Sequence, residues 1–268
     1  MKTIREFLPF NSLKFRITLV FLVLILVIQA TGYLSTRYNV EKNVRTNSLN
    51  ELAVGEHVLN GLLSQNSTSL TLAAKVLATD YGFRAAIASN DIETIVSALN
   101  NYRTRIGADI AIFNDNSGNY VTGTAGMAGF ESDNDINQLI KYAMRQGHAS
   151  GVVVLNHVPY QLVVLPVKAP LDVGLVTMGF AIDNVLATRL HDLSGLQVTF
   201  LSKTKDSNWL PTATTLDKAS ATKLATSIQN ITLSQSTDAE ISLNNTLYST
   251  RYVNLNTGDT SNKIVVVA

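Results

Sequence analysis

The sequence predicts an α+β protein. A long N-terminal transmembrane and stalk helix leads into two antiparallel sheets of about five strands each, with flanking helices. Three observations carry the prediction. Residues Ile17 to Leu34 form an uncharged run, ITLVFLVLILVIQATGYL, interrupted only by Thr18, Gln29, Thr31 and Gly32. Apolar residues then recur at spacings near seven as far as Leu77, the stripe of an amphipathic helix. Beyond Asp109 the period shortens to that of strands, and the pattern runs twice with a constant offset of 88 residues.

At ~1.5 Å per residue, the apolar run is just long enough to cross a hydrocarbon core as a helix. A cleavable signal peptide would share some of this pattern. The length of the run and the helical stretch after it favour an uncleaved anchor. Lys2, Arg5, Lys14 and Arg16 precede it, and Arg37, Lys42 and Arg45 follow, which leans towards a cytoplasmic N-terminus. The absence of cysteine suits an oxidising compartment. The expected layout is a cytoplasmic tail at 1–16, a membrane helix at 17–34, a stalk helix at 35–80, a membrane-distal module at 81–183 and a membrane-proximal module at 184–268. Residues 35–268 are placed in the periplasm of a bacterium, with the span in its inner membrane.

The part beyond Leu34 carries 17 Lys+Arg and 19 Asp+Glu, a net charge of −2. No basic field is available for nucleic acid. A hydrophobic content of 46% is ample for a packed core.

The stalk stripe comprises Val44, Leu52, Leu59, Leu63, Leu70 and Leu77, filled in by Leu49, Leu62, Ala73 and Ala74. Its lower part, Val44 to Leu63, leaves the membrane before any β-structure is available to cover it. A second copy of the chain is its expected partner, making a homodimer. Ser64 to Ser69 is poor helix material and predicts a kink or break. Asn90-Asp91-Ile92-Glu93 resembles a capping box that opens the next helix. ADIAIFNDNSGNYVTG reads as strand, turn, strand, with Asp115 and Gly118 as the turn residues. Asn134–Gln146 is a helix ended by Gly147. Strands follow at Gly151–Leu155, Tyr160–Val167 and Gly174–Ala181, then a short helix from Asp183 to Leu193, closed by Gly195.

With the offset of 88, Ile110, Ile112 and Val121 correspond to Val198, Phe200 and Trp209, and Ile136 and Ile140 to Leu224 and Ile228. Val153–Asn156 followed by Tyr160 corresponds to Ile241–Asn244 followed by Tyr248, and Val176–Met178 to Ile264–Val266. Each repeat thus reads β-β-α-β-β-β.

This arrangement resembles the double Cache family, PAS-like extracellular sensors of bacterial transmembrane signalling proteins. The resemblance rests on FRAAIASNDIETIVSALNNYRTRIGADIAIFNDNSGNYV (Phe83–Val121) and GLVTMGFAIDNVLATRL (Gly174–Leu190). The first is most similar to distal modules that precede diguanylate cyclase or phosphodiesterase domains. The second is similar to the step from a final strand through an Asp into the connecting helix. The Tyr/Arg/Trp/Asp signature of the amino-acid-binding members is not present. The resemblance implies a small-molecule ligand in the distal module and an output domain, expected in cyclic-di-GMP turnover. No such domain is present in these residues. Lys263–Ala268 stops inside an apolar strand, so the natural chain is expected to continue into a second membrane helix.

No catalytic constellation is expected. His57, His148, His157 and His191 lack metal-ligand spacing, and GHASG (147–151) does not fit a nucleophile elbow. No metal and no cofactor are expected. The candidate ligand-binding residues are Arg84, Arg105, Tyr120, Tyr160 and Lys168. Arg84 lies in the apolar stretch Gly82–Ile87, where a cation needs an anionic partner or ligand, so the ligand is expected to be anionic. Trp209, Tyr248, Arg251 and Tyr252 are weaker candidates in the second repeat. The leading reading is a ligand-sensing receptor module. The alternative is a membrane-tethered periplasmic binding protein without signalling output.

Overall fold

The computed structural model describes residues 13–124, 130, 133–168, 172–203, 208–229, 236–243, 246–255 and 263–267. Residues 1–12 of the tail, Asn244 of the repeat and Ala268 lie outside the described residues, as does the side chain of Val44.

The chain forms two compact units, Met1–Asn50 and Glu51–Ala268. Helix α1 (Leu13–Thr79) supplies backbone to both. In the first unit, Ile17–Tyr38 is a helix of 22 residues, long and apolar enough to cross a membrane. All its side chains are exposed, and the Thr31 hydroxyl donates back to the Val27 carbonyl at 2.7 Å.

In the second unit Asp80 closes α1 and caps α2 (Tyr81–Ala88), accepting from the Phe83 amide at 2.8 Å. Asp91 caps α3 (Ile92–Ile106), accepting from both the amide and hydroxyl of Thr94. The box read at Asn90–Glu93 is therefore one residue off. Asn90 adopts φ 55 in the turn before it. Strands β1 (Ile110–Asn114), β2 (Tyr120–Gly123), β3 (Ala149–Leu155), β4 (Val158–Lys168) and β5 (Asp172–Ala181) form an antiparallel sheet in the order β2-β1-β5-β4-β3. Helix α4 (Asn134–Gln146) lies in sequence between β2 and β3. After α5 (Asn184–Ser194), strands β6 (Thr199–Lys203), β7 (Leu210–Thr214), β8 (Ser236–Leu243), β9 (Thr246–Asn254) and β10 (Lys263–Val267) make a second antiparallel sheet. Its order is β7-β6-β10-β9-β8, with α6 (Lys218–Ser227) between β7 and β8 in sequence.

Period-two burial explains both layers. On one face of the first sheet Ala111, Phe113, Val163, Leu165, Val176 and Met178 pack on Leu70, Ala74 and Leu77 of α1, Phe83 of α2 and Ile95 and Leu99 of α3. On the other, Ile110, Ile112, Leu162, Val164 and Leu175 pack on Ile136, Ile140 and Ala143 of α4.

Three expectations are corrected. The helix does not break at Ser64–Ser69. The Gln161 amide of β4 donates to the Leu63 carbonyl at 2.6 Å, and the Ser67 and Ser150 hydroxyls lie 3.0 Å apart. Ser67 of this stretch bonds the edge strand β3 and the backbone just before it bonds β4, so tertiary contact overrides propensity.

The lower stalk stripe does have cover. Leu59 and Leu62 pack with Val198, Phe200, Ala213 and Val253 of the second sheet segment and with Leu186 and Leu190 of α5. Leu52 is buried beside Leu190 and Val253. The second sheet comes late in the chain but returns to the helix, and a stripe carries no label for its partner.

The offset of 88 holds for one half of the sheet only. Val153 and Leu155 face α4 as Ile241 and Leu243 face α6, and Ile136 and Ile140 match Leu224 and Ile228. In β1 and β6 the correspondence fails. Ile110 and Ile112 face α4, whereas Val198 and Phe200 face α1 and Leu201 faces α6. Val121 packs on the α1 side and Trp209 on the α6 side. In β10 it is Val266, paired with Phe200 and Val253, that takes the place of Val176, paired with Phe113 and Leu165. A slip of one residue turns every side chain to the other face, and a sequence offset cannot register it.

Candidate functional site

The α4 face of the first sheet is not closed. Where β1 turns into β2 it opens into a cleft of about 450 Å³, within the range of small-molecule sites. The floor is Asn114 at the end of β1, one wall is Ser117 to Tyr120, the other is Asn137, Ile140 and Lys141 of α4, and Phe130 lies between.

Local chemistry builds each wall. The Asp115 carboxylate accepts from the amides of Ser117 and Asn119 at 2.8 Å each and from Asn119 Nδ2 at 3.0 Å. Burial pushes this carboxyl up, but the bonds from Asn119, Ser117 and Gly118 outweigh it and hold it below the usual range. Gly118 sits at φ 86, and a Cβ there would press on Ile140 Cγ2 at 2.9 Å. Asn116 Nδ2 donates to the Asp172 carbonyl at 2.6 Å, tying the turn to the start of β5. At the head of α4, Asp133 accepts from the amides of Asp135 and Ile136, while burial pushes its carboxyl up. Asn137, Ile140 and Lys141 then share one helical face by their i, i+3, i+4 spacing.

Asn114 is the unusual member. Its side chain is 1% exposed, and Nδ2 donates to the Gly118 carbonyl at 3.2 Å. Its Oδ1 has no partner among the described groups. Thr177, on the same face of β5, also has a fully buried hydroxyl without one. Such groups carry a desolvation cost of about 1–3 kcal/mol each unless something satisfies them.

The five sequence candidates do not converge. Tyr120 lines the cleft, its ring 6.2 Å from that of Phe130. Tyr160 shares the sheet face but lies at the far end of β4, opposite Ala181; burial, then the charge of Asp109, pushes its phenol up. Arg84 is on α2 at the other face, where Nη1 donates to the Lys168 carbonyl at 3.3 Å and Nε is buried with no hydrogen-bond partner among the described residues. Lys168 is exposed, 3.6 Å from Asp172. Arg105 is exposed, its guanidinium 5.7 Å from the Tyr102 ring centroid. Where an anion was expected, Arg84 thus meets a neutral backbone carbonyl among the described residues. Sequence reasoning missed Asn114, Asn119, Asn137 and Lys141. The shared helical face of Asn137 and Lys141 was a signal for those two alone.

In the second sheet Trp209 and Tyr252 are core, and Tyr248 is exposed. Arg251 is bidentate to Asp238, at 2.6 and 2.9 Å, and reaches Glu56 of α1 at 3.3 Å. The hydrogen bonds from Arg251 hold the Asp238 carboxyl below its usual range. Among the described residues, no three His, Cys, Asp or Glu side chains gather as metal ligands would.

A sequence profile of the double Cache family described as "Double sensory domain of two-component sensor kinase" matches residues 45–263. The chain belongs to this family. Its fold is similar to that of a domain of a putative sensory box/GGDEF family protein from Vibrio parahaemolyticus. The TM-score is 0.52 at 10% identity, over 84% of this chain and 96% of that one. It is similar also to the LuxQ periplasmic domain of Vibrio cholerae, with TM-score 0.50 at 9% identity, over 82% and 97%. An extracellular ligand binding receptor from Desulfohalobium retbaense matches with TM-score 0.44 at 12% identity. That match covers 82% of this chain and 40% of the receptor, so the chain spans about two fifths of that protein. No curated protein sequence matches.

Proposed function

We propose that this chain is the sensing region of a membrane-anchored bacterial receptor. The span lies in the inner membrane, the N-terminus is cytoplasmic, and residues 35–268 are periplasmic. The distal module, residues 81–183, takes a small, anionic molecule in the cleft, and the proximal module, residues 184–268, relays its presence. The observation that carries this reading is the cleft of about 450 Å³, with a buried acceptor, Asn114 Oδ1, left unpartnered at its floor. Lys141 takes over the charge role expected of Arg84 or Arg105. Family membership supports a sensory rather than a catalytic role. The neighbour titled a sensory box/GGDEF protein supports an output in cyclic-di-GMP turnover.

A ligand bridging the β1–β2 turn and α4 would favour a closed arrangement of the two. It can shift that equilibrium only by its differential affinity for the two states. The path to α1 runs through β3 and β4, by the Ser150–Ser67 and Gln161–Leu63 contacts. A homodimer fits the outward side of α1 in the second unit, where Val54, Leu72 and Val76 stay exposed.

The test uses the full chain in lipid nanodiscs, screened with small acids by thermal shift. A ligand at a hundred times its Kd adds about 2.7 kcal/mol, a rise of roughly 5–10 °C for a unit of this size. Asn137→Trp, which fills the cleft, should abolish the shift, and Tyr248→Trp in the second sheet should not. A shift that survives Asn137→Trp would place the site elsewhere. In the same preparation a cysteine at Leu72 should cross-link two copies; failure to do so, with Leu34→Cys as control, removes the dimer on that face.

A further inference from the structure

We infer that the cleft selects small hydroxylated carboxylates, the class of sugar acids and hydroxy acids, over amines and amino acids. This rests on the cleft being the ligand site, and it follows from two features of the lining.

The first is charge. Lys141 is the one charged side chain among the described lining residues, and no carboxylate is among them. The nearest carboxylate in sequence, Asp115, already accepts from the Ser117 and Asn119 amides and from Asn119 Nδ2. A ligand ammonium would lose water and find no counter-charge, which is costly. A ligand carboxylate would meet Lys141, a flexible point charge at the rim.

Hydrogen bonding is the second. The donation from Asn114 Nδ2 to the Gly118 carbonyl fixes the amide's orientation and leaves Oδ1 as an acceptor needing a donor. A hydroxyl supplies that donor without bringing a positive charge. Ser117, Asn119, Tyr120 and Asn137 around it are neutral groups that both donate and accept, as hydroxyls do.

The experiment is calorimetric titration of the full chain in nanodiscs with gluconate, sorbitol, alanine and putrescine. Gluconate should bind, sorbitol should bind at least about tenfold more weakly, and alanine and putrescine should show no heat at millimolar concentration. Lys141→Gln, at an exposed position, should weaken gluconate by about ten- to a hundredfold and leave sorbitol unchanged. Asn114→Leu should weaken both; if it fails to fold, the Lys141→Gln comparison decides alone. Putrescine or alanine binding that tightens in Lys141→Gln would keep the cleft as the site and overturn the ligand class. Gluconate binding indifferent to Lys141→Gln would overturn the site itself. Absence of binding by both gluconate and sorbitol would overturn the class.

Discussion

The first sheet, β2-β1-β5-β4-β3, and the second, β7-β6-β10-β9-β8, wind in the same order, and each is covered by α1 on one face. They differ on the other. In the second sheet, among the described residues, Trp209, Leu224, Ile228, Ile241 and Tyr252 fill the space under α6 with apolar bulk. In the first, the corresponding space ends in Asn114, three neutral polar residues of the β1–β2 turn and a lysine. The void beside Arg251, between α1 and the second sheet, is about 10 Å³, room for about one water. One topology therefore serves two purposes. A filled sheet is a packing unit that holds the helix, and an open one leaves room for the ligand proposed above.

Four substitutions would break or sharpen that contrast. Trp209→Ala should have the largest effect, about 3–5 kcal/mol, because it removes a buried aromatic from a closed core. Tyr120→Ala, at the half-buried equivalent face, should cost less than half as much. Equal losses in denaturant midpoints would mean that the first face is as closed as the second.

Arg251→Met comes next, at about 1–2 kcal/mol near neutral pH, since it takes the bidentate partner from Asp238 and one partner from Glu56. Its pH dependence has a defined sign. Asp238 titrates below its ordinary value in the folded chain because Arg251 donates to it. The stability it contributes is therefore full above the ordinary aspartate value near pH 4 and fades as pH falls through the depressed one. Wild type and Arg251→Met should converge once the pH has fallen below the depressed value. A gap that stayed constant down to pH 2 would show that the ion pair is not its source.

The smallest effect is expected for Asp115→Ala, about 1 kcal/mol in stability, from the lost turn bonds. It should weaken ligand binding at the cleft more than it lowers the melting temperature. A melting change with untouched binding would detach the turn from the site.

Much of the fold was legible because it is local. The uncharged run at Ile17–Leu34 is contiguous in sequence, and the glycine stops at Gly147 and Gly195 and the Asp cap at Asp183 are each set within one turn of chain. The Asp115–Gly118 turn was legible for the same reason, since its hydrogen bonds span four residues or fewer.

Sequence by itself thus determined the class, the long apolar helix, the two sets of strands and the turn that walls the cleft, because propensity, periodicity and capping act over short distances. Only the tertiary structure decided four things. These were that α1 runs unbroken through Ser64–Ser69, that Leu52 to Leu62 face the second sheet, that β6 is out of step with β1 by an odd number of residues, and that Arg84 and Tyr120 lie on opposite faces. Each depends on which distant surface supplies the partner. A side chain's type states that a partner is needed, but the partner's identity is settled by packing across many residues of separation.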